Sequence, residues 1–365
     1  MTFRYIGSKA RLTVPLAHAI EAFDDGTGRF VDAFSGTGAV AELAASLGWP
    51  VWANDALESA IVMTSARLAS ETDICMGALG GYASAVERLN GLKPSEGPMW
   101  RIYSPASARF DSDQIERRYF TEQNAAAIDA ARAQIAEWAD YDLLTDREEQ
   151  LLIADLISAA NRVANIAGTY GCFLSRWQNS AHQALRIKPR ELKKEPTELL
   201  ATVADVAELR PASTDLVYLD PPYTKRQYAS YYHILETIVF GDSPEVVGVS
   251  GLRPWKEKAS AFCYKNRALG ALLSLVEGLA SRRVLISYSC QGHVGLDDLC
   301  AGLERSGCVE CIPVPGVGRY RPNIKASANG DTVTEYILSF RRDEDRTDSS
   351  QAAVGVRCEL EEIGI

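Results

Sequence analysis

The tetrapeptide Asp220-Pro221-Pro222-Tyr223 directly follows the apolar run Leu216-Val217-Tyr218-Leu219, and this junction constrains the fold more than any other feature of the chain. A short continuous apolar run predicts a strand buried on both faces. The prolines end it, because each lacks a backbone donor and fixes φ. The strand end therefore carries a carboxylate, a rigidly held Pro221 carbonyl and an aromatic ring side by side. Two acceptors beside a flat ring suit an exocyclic amino group: both its hydrogens are accepted, its heterocycle stacks on Tyr223, and its nitrogen is left facing an electrophile such as a sulfonium methyl. The plain alternative is a proline-punctuated turn capped by an aspartate.

Nearer the start of the chain, Arg29 to Ala33 predicts a short strand, Phe34-Ser35-Gly36-Thr37-Gly38 a glycine loop, and Ala39 to Leu47 a helix stopped by Gly48. Glycines let backbone approach a ligand, and the helix start offers free amides. A second strand, Pro50 to Asn54, ends at Asp55, where a ribose diol would lie in a doubly wound sheet. Gly36-Thr37-Gly38-Ala39-Val40-Ala41 also satisfies the dinucleotide pattern G-x-G-x-x-G/A, so these residues alone suit NAD equally well. Asp32, placed to meet a ligand ammonium, and the clamp at 220–223 favour S-adenosylmethionine and a target amine.

With 365 residues, 47% hydrophobic and 24% charged, the chain can form one large domain or two moderate ones. No apolar stretch approaches the roughly 18 residues of a membrane span, and Met1-Thr2-Phe3-Arg4-Tyr5 lacks a signal pattern, so a cytoplasmic protein without a membrane partner is expected. The eight cysteines are scattered, and only Cys308 and Cys311 have metal-like spacing with no second pair, so no metal site is expected. The net charge of −10 argues against a uniformly basic coat, yet two basic runs stand out. One holds Arg176, Arg186, Lys188, Arg190, Lys193 and Lys194; the other runs from Arg253 through Lys256 to Arg267. Trp177, Trp255, Phe262 and Tyr264 are interleaved with them, as on a phosphate-tracking surface with stacking groups. Two solvated faces are the bland alternative.

The interval between Asp55 and Asp205 is too long for a structureless connection. It reads as helical: Thr121 precedes an alanine-rich run to Trp138, and Thr145-Asp146-Arg147-Glu148 is a capping box opening a helix to about Asn165. Further on, a helix is expected near Tyr231 to Phe240, a strand from Arg283 to Tyr288 and a helix from Leu296 to Arg305. Glu310 to Val314 should pair with Val333 to Phe340. Between these last two, Arg319 to Lys325 forms a cationic excursion, and from residue 343 a flexible acid-rich tail is expected.

In chain order, Phe3-Arg4-Tyr5-Ile6-Gly7-Ser8-Lys9, Asp32-Ala33-Phe34-Ser35-Gly36-Thr37-Gly38, Asn54-Asp55, Asp205, the 220–223 clamp and Ile286-Ser287-Tyr288-Ser289 resemble the alpha group of adenine-specific DNA methyltransferases. Arg226-Gln227-Tyr228, Tyr231-Tyr232-His233-Ile234-Leu235-Glu236 and Ala164 to Gly171 are similar to a sub-branch of restriction-system modification enzymes, some of type IIS. The resemblance spans residues 3 to about 340. It implies an α/β, Rossmann-like S-adenosylmethionine-dependent methyltransferase fold, catalytic at 1–59 and 199–342, with a mostly helical target-recognition insertion at 60–198. It further implies that Asp32, Phe34, Gly36 and Gly38 surround the methionine moiety of S-adenosylmethionine, Asp55 its ribose and Asp205 its adenine, with Tyr5 and Lys9 closing the site. Asp205 reads equally well from the residues as the capping acid of a helix.

Asp220, Pro221, Pro222 and Tyr223 would grip an adenine flipped from double-stranded DNA. Arg226, Lys188, Arg190, Arg253, Lys256, Arg319 and Arg321 would contact that DNA, and a cognate restriction endonuclease is an expected partner. His233 would touch base or phosphate, or else be a packed residue. The same clamp would grip cytosine's amino group or an RNA base. A DNA-binding specificity subunit without catalysis is the alternative from another class.

Overall fold

The structure is a computed structural model that describes Lys9 and residues 12–318 and 332–343. Tyr5, Arg319, Arg321, the rest of the 319–325 excursion and the tail from 344 lie outside the described residues. The strands are β1 (Phe30–Asp32), β2 (Val51–Asp55), β3 (Leu199–Val203), β4 (Leu216–Leu219), β5 (Arg283–Ser289), β6 (Gly307–Gly318) and β7 (Thr332–Arg342). They form one seven-stranded sheet in the order β3-β2-β1-β4-β5-β7-β6. β1 to β5 pair in parallel, whereas β7 runs antiparallel to both β5 and β6.

Strand order reverses direction between β1 and β4, which lie side by side with Asp32 opposite Tyr218. A crevice opens at the carboxyl ends of strands at such a switch point. Asp32 and Asp220 therefore flank it.

Around the sheet the helices are α1 (Thr13–Glu21), α2 (Ala39–Ser46), α3 (Glu58–Arg67), α4 (Tyr82–Asn90), α5 (Pro98–Tyr103), α6 (Glu122–Asp140), α7 (Asp146–Val163), α8 (Tyr228–Tyr231), α9 (His233–Phe240), α10 (Ala268–Gly278) and α11 (Leu296–Leu303). Successive strand residues alternate between faces. Phe30, Tyr218 and Leu285 pack with Leu16 and Ile20 of α1 on one face. Val31, Val217 and Val284 pack with Leu275 and Leu299 of α10 and α11 on the other. Burial on both faces explains why β4 reads as a continuous apolar run.

A third core joins α3 and α9 to the helices between residues 82 and 163. The local signals hold there. Thr121 accepts a hydrogen bond from the Asn124 amide at the start of α6, and both halves of the Thr145–Glu148 capping box are formed at α7. Gly38, in the left-handed region at φ 75°, begins α2 with its Cα against α3: a Cβ there would sit 2.8 Å from the Thr64 Cα. No helix among the described residues is long and apolar enough to cross a membrane.

Candidate active site

The carboxyl ends of β1, β2 and β4 border a cavity of about 670 Å³. Asp32 ends β1 at its wall. One carboxylate oxygen, Oδ2, accepts the Ala41 amide at 3.1 Å, while Oδ1 is buried with no hydrogen-bond partner. Burial, with Asp220 and Asp55 nearby, pushes the Asp32 pKa up to about 8. The glycine loop wraps over Asp55: the Gly36 amide donates to Oδ2 and the Leu57 amide to Oδ1, each at 3.0 Å. Burial still lifts Asp55 to about 6. Each of its oxygens retains a lone pair for a ligand hydroxyl.

Asn54 fixes this corner by donating to the carbonyls of Ala33 and Ala204 and accepting from Thr202, so that β1, β2 and β3 end in register. Asp205 follows β3 and caps the turn at 206–208 by accepting from the Ala207 amide. Asp205 is thus the capping acid of that turn, and it also lines the cavity. The apolar side chains of Val206, Leu209, Leu275 and Leu279 line the cavity beside it.

At the end of β4, Asp220 meets Lys9, whose Nζ lies 2.9 Å from Oδ1 and 3.8 Å from Oε2 of Glu335. Burial works against the Lys9 ammonium, but Asp220, Tyr218 and Glu335 outweigh it and hold its pKa above the ordinary value. Burial raises Asp220 despite this partner. The Tyr223 ring stands with Lys9 Nζ 5.5 Å from its centroid and Tyr288 edge-on at 5.7 Å. Its carbonyl accepts from the His293 amide at 2.9 Å, which ties the clamp to the segment after β5.

Two further segments are stitched together over the cavity. The Gln227 side-chain amide accepts from the Ser260 amide at 2.8 Å and donates to the Ser260 carbonyl at 3.1 Å. The Cys263 thiol donates to the Arg226 carbonyl, and Phe262 packs edge-on to Phe34 at 5.6 Å. Lys258 is held by Glu236 at 3.1 Å, whose other oxygen accepts the Ser59 amide at the start of α3. The arrangement offers a buried acid for an ammonium, an acid for a diol, apolar walls for a ring and, at one end, a carboxylate paired with lysine beside an aromatic face.

Comparison with known proteins agrees with this geometry. The sequence profile of the D12 class N6 adenine-specific DNA methyltransferases matches residues 5–282. The chain belongs to this family. It is 30% identical over 348 residues to the Type II methyltransferase M.FokI of Planomicrobium okeanokoites, covering 93% of this chain and 53% of that protein. It is also 30% identical over 322 residues to modification methylase StsI of Streptococcus sanguinis, covering 86% and 48%. Against the Type II methyltransferase M.NlaIII of Neisseria lactamica, 30% identity extends over 314 residues, or 84% of this chain and 90% of the relative. The chain thus spans about half the length of the first two relatives and most of the third.

In this D12-class chain the fold brings Lys9, Asp32, Phe34, Gly36, Asp55, Asp205, Asp220 and Pro222 around one cavity. Pro221 is buried and is not part of the lining, and Tyr223 stands next to Lys9 just outside it. Gly38 does not line the cavity; its conformation and its approach to Thr64 serve the packing of α2 on α3. Lys188, Arg226 and Lys256 are exposed, as a phosphate contact requires. Arg190 instead binds the buried Asp155 at 2.8 Å, and Arg253 grips Asp242 through both terminal nitrogens at 2.6 Å, so both guanidinium groups are engaged within the protein. Phe262 is not a surface stacking group but a buried wall of the cavity. His233 is wholly buried, with Nε2 3.0 Å from the Tyr170 carbonyl; burial lowers its pKa to about 4, and it is the packed residue of the two readings. Sequence reasoning gave no individual role to Tyr228 and Glu236, which lie in the motif stretches quoted above, or to Lys258, which lies in the second basic run, and it missed Glu335 altogether. Glu335 carried a signal of its own, as an acid placed among Val333, Tyr336 and Ile337 in a run otherwise fit for a buried strand.

Proposed function

We propose that the protein transfers a methyl group from S-adenosylmethionine to the exocyclic amino nitrogen of adenine in double-stranded DNA, as a modification enzyme of a restriction system. One observation carries this reading: the clamp carboxylate Asp220 and the unpartnered Oδ1 of Asp32 face the same cavity from adjacent strand ends. S-adenosylmethionine supplies an electrophilic sulfonium methyl when bound. Asp32 would take its ammonium, Asp55 its ribose hydroxyls, and Asp205 with Val206, Leu209, Leu275 and Leu279 its adenine. The cation of an oxidised nicotinamide dinucleotide is a ring with no N–H to donate to Asp32 Oδ1, whereas the ammonium of S-adenosylmethionine has three, which favours the sulfonium reading over NAD.

The target adenine, flipped out of the duplex, would stack on Tyr223 and present its amino group to Asp220 and the Pro221 carbonyl. Accepting those hydrogens localises the nitrogen lone pair, which ring delocalisation otherwise withholds. Asp220 is the acceptor nearest the departing proton, and its raised pKa suits it to hold that proton until water removes it. Target recognition is assigned to the helical segment 60–198, and phosphate contacts to Lys188, Arg226 and Lys256. A cognate endonuclease fits the modification role.

The test is long-read modification sequencing of plasmid DNA from cells making the wild type or Asp220→Ala. N6-methyladenine in one short motif, lost in the variant by at least about 10³-fold in rate, supports the reading. Modification of cytosine, or none in either strain, sinks it.

A further inference from the structure

Glu335 lies where β7 passes β5, directly across from Ser289. Its side chain is only 10% exposed, and its Oε2 accepts no hydrogen bond. Lys9, Asp220, Ser289 and Tyr223 are the groups that face it. A buried carboxylate oxygen left bare is costly, and it is usually relieved by a donor within reach. The Lys9 ammonium is that donor, 3.8 Å from Oε2, but it is engaged at 2.9 Å with Asp220 Oδ1. One of the two Asp220 oxygens is thereby held by a lysine while a target amine needs the full acceptor strength of the carboxylate. An ammonium bonded to a carboxylate draws charge away from any second donor, so the two compete.

We propose that Glu335 is a positioning residue that takes the Lys9 ammonium from Asp220 as the target amine docks. The inference rests on the amino-methyl transfer reading above. The move is small: closing to an ordinary charged N···O separation of about 2.8 Å shifts Nζ by about 1 Å. No bond or proton changes hands. One ammonium and two carboxylates are present before and after, and only their pairing alters. Asp220 recovers Oδ1 beside Oδ2 as an acceptor for the amine, and Oε2 of Glu335 loses its unpartnered state in the same step. Lys9 meanwhile stays beside the Tyr223 ring, which fixes the far side of the target.

The experiment measures single-turnover methylation by the wild type, Glu335→Gln and Glu335→Asp on a duplex carrying the motif that sequencing identifies. Thermal melts and affinity for S-adenosylhomocysteine are read on the same preparations, which separates a folding or cofactor defect from a rate defect. Glutamine keeps the size and the acceptor oxygen for Tyr223 and Ser289 but does not attract an ammonium. The expected result is a loss on the order of 10²-fold for the glutamine variant, a smaller loss for the charge-conserving aspartate, and unchanged cofactor affinity in both. A glutamine variant within threefold of the wild type, or equal losses in the two variants, would overturn the proposal. A wild type that modifies no DNA would instead remove the methyltransferase reading itself.

Discussion

Asp32 stays protonated to about pH 8 because burial, Asp220 and Asp55 all oppose its charge. The sign of the consequence follows from the unfolded value of 3.8. Between those two values the unfolded chain has ionised this group and the folded chain has not, so its contribution to stability is lost as pH rises through that window. A ligand ammonium reverses the preference by supplying the missing partner for Oδ1. Binding of S-adenosylhomocysteine to the wild type at pH 7 should therefore release close to one proton, and binding to Asp32→Asn should release none. Calorimetry in two buffers of different ionisation enthalpy reads this directly; no release from the wild type would take the ammonium away from Asp32. At this scale the sequence was most legible where chemistry is local. The identities at 32, 55 and 220 pointed to their strand ends, and all three reach one cavity. The ion pairs of Arg190 and Arg253 were not legible, because a guanidinium looks the same in a string whether it faces solvent or a carboxylate.

Elements α6 and α7 were legible for the same reason: capping is decided within four residues. At α7 the Glu148 carboxylate does more than close the box, since it also accepts the amides of Cys75 and Met76 from the segment after α3. Thr145→Ala should thus cost about 1 kcal/mol. Glu148→Ala, which strands buried amides, should cost about 2–3 kcal/mol more. Urea unfolding distinguishes the two, and equal losses would show that the link to Cys75 and Met76 contributes nothing. The pairing of β6 with β7 was also readable, from Glu310 through Val314 against Ser339 back to Glu335. What stayed hidden were contacts between distant segments, such as Gln227 with Ser260 and Glu236 with Ser59, which have no periodic or capping signature.

The whole molecule carries a net charge of −10, so attraction to a phosphate backbone has to come from local cation clusters against an unfavourable overall field. Each exposed contact removed should then lower the salt slope of duplex binding by about 1. Lys188→Ala, Arg226→Ala and Lys256→Ala should do so, whereas Arg190→Ala and Arg253→Ala should lower the melting temperature and leave the slope alone. Fluorescence anisotropy titrations at several salt concentrations decide; unchanged slopes in the first three would move the interface elsewhere. The strand order has a further consequence, for biosynthesis. Cavity-lining residues run from Lys9 to Leu279, but β7 inserts between β5 and β6 and is made after both. A nascent chain thus holds every residue that lines the cavity while the edge of β5 still waits for its neighbour, and the Lys9 ammonium gains its second carboxylate only when that late strand is added. On the methyl-transfer reading proposed above, the chain can bind its ligand during synthesis before the lysine between Asp220 and Glu335 is fully paired.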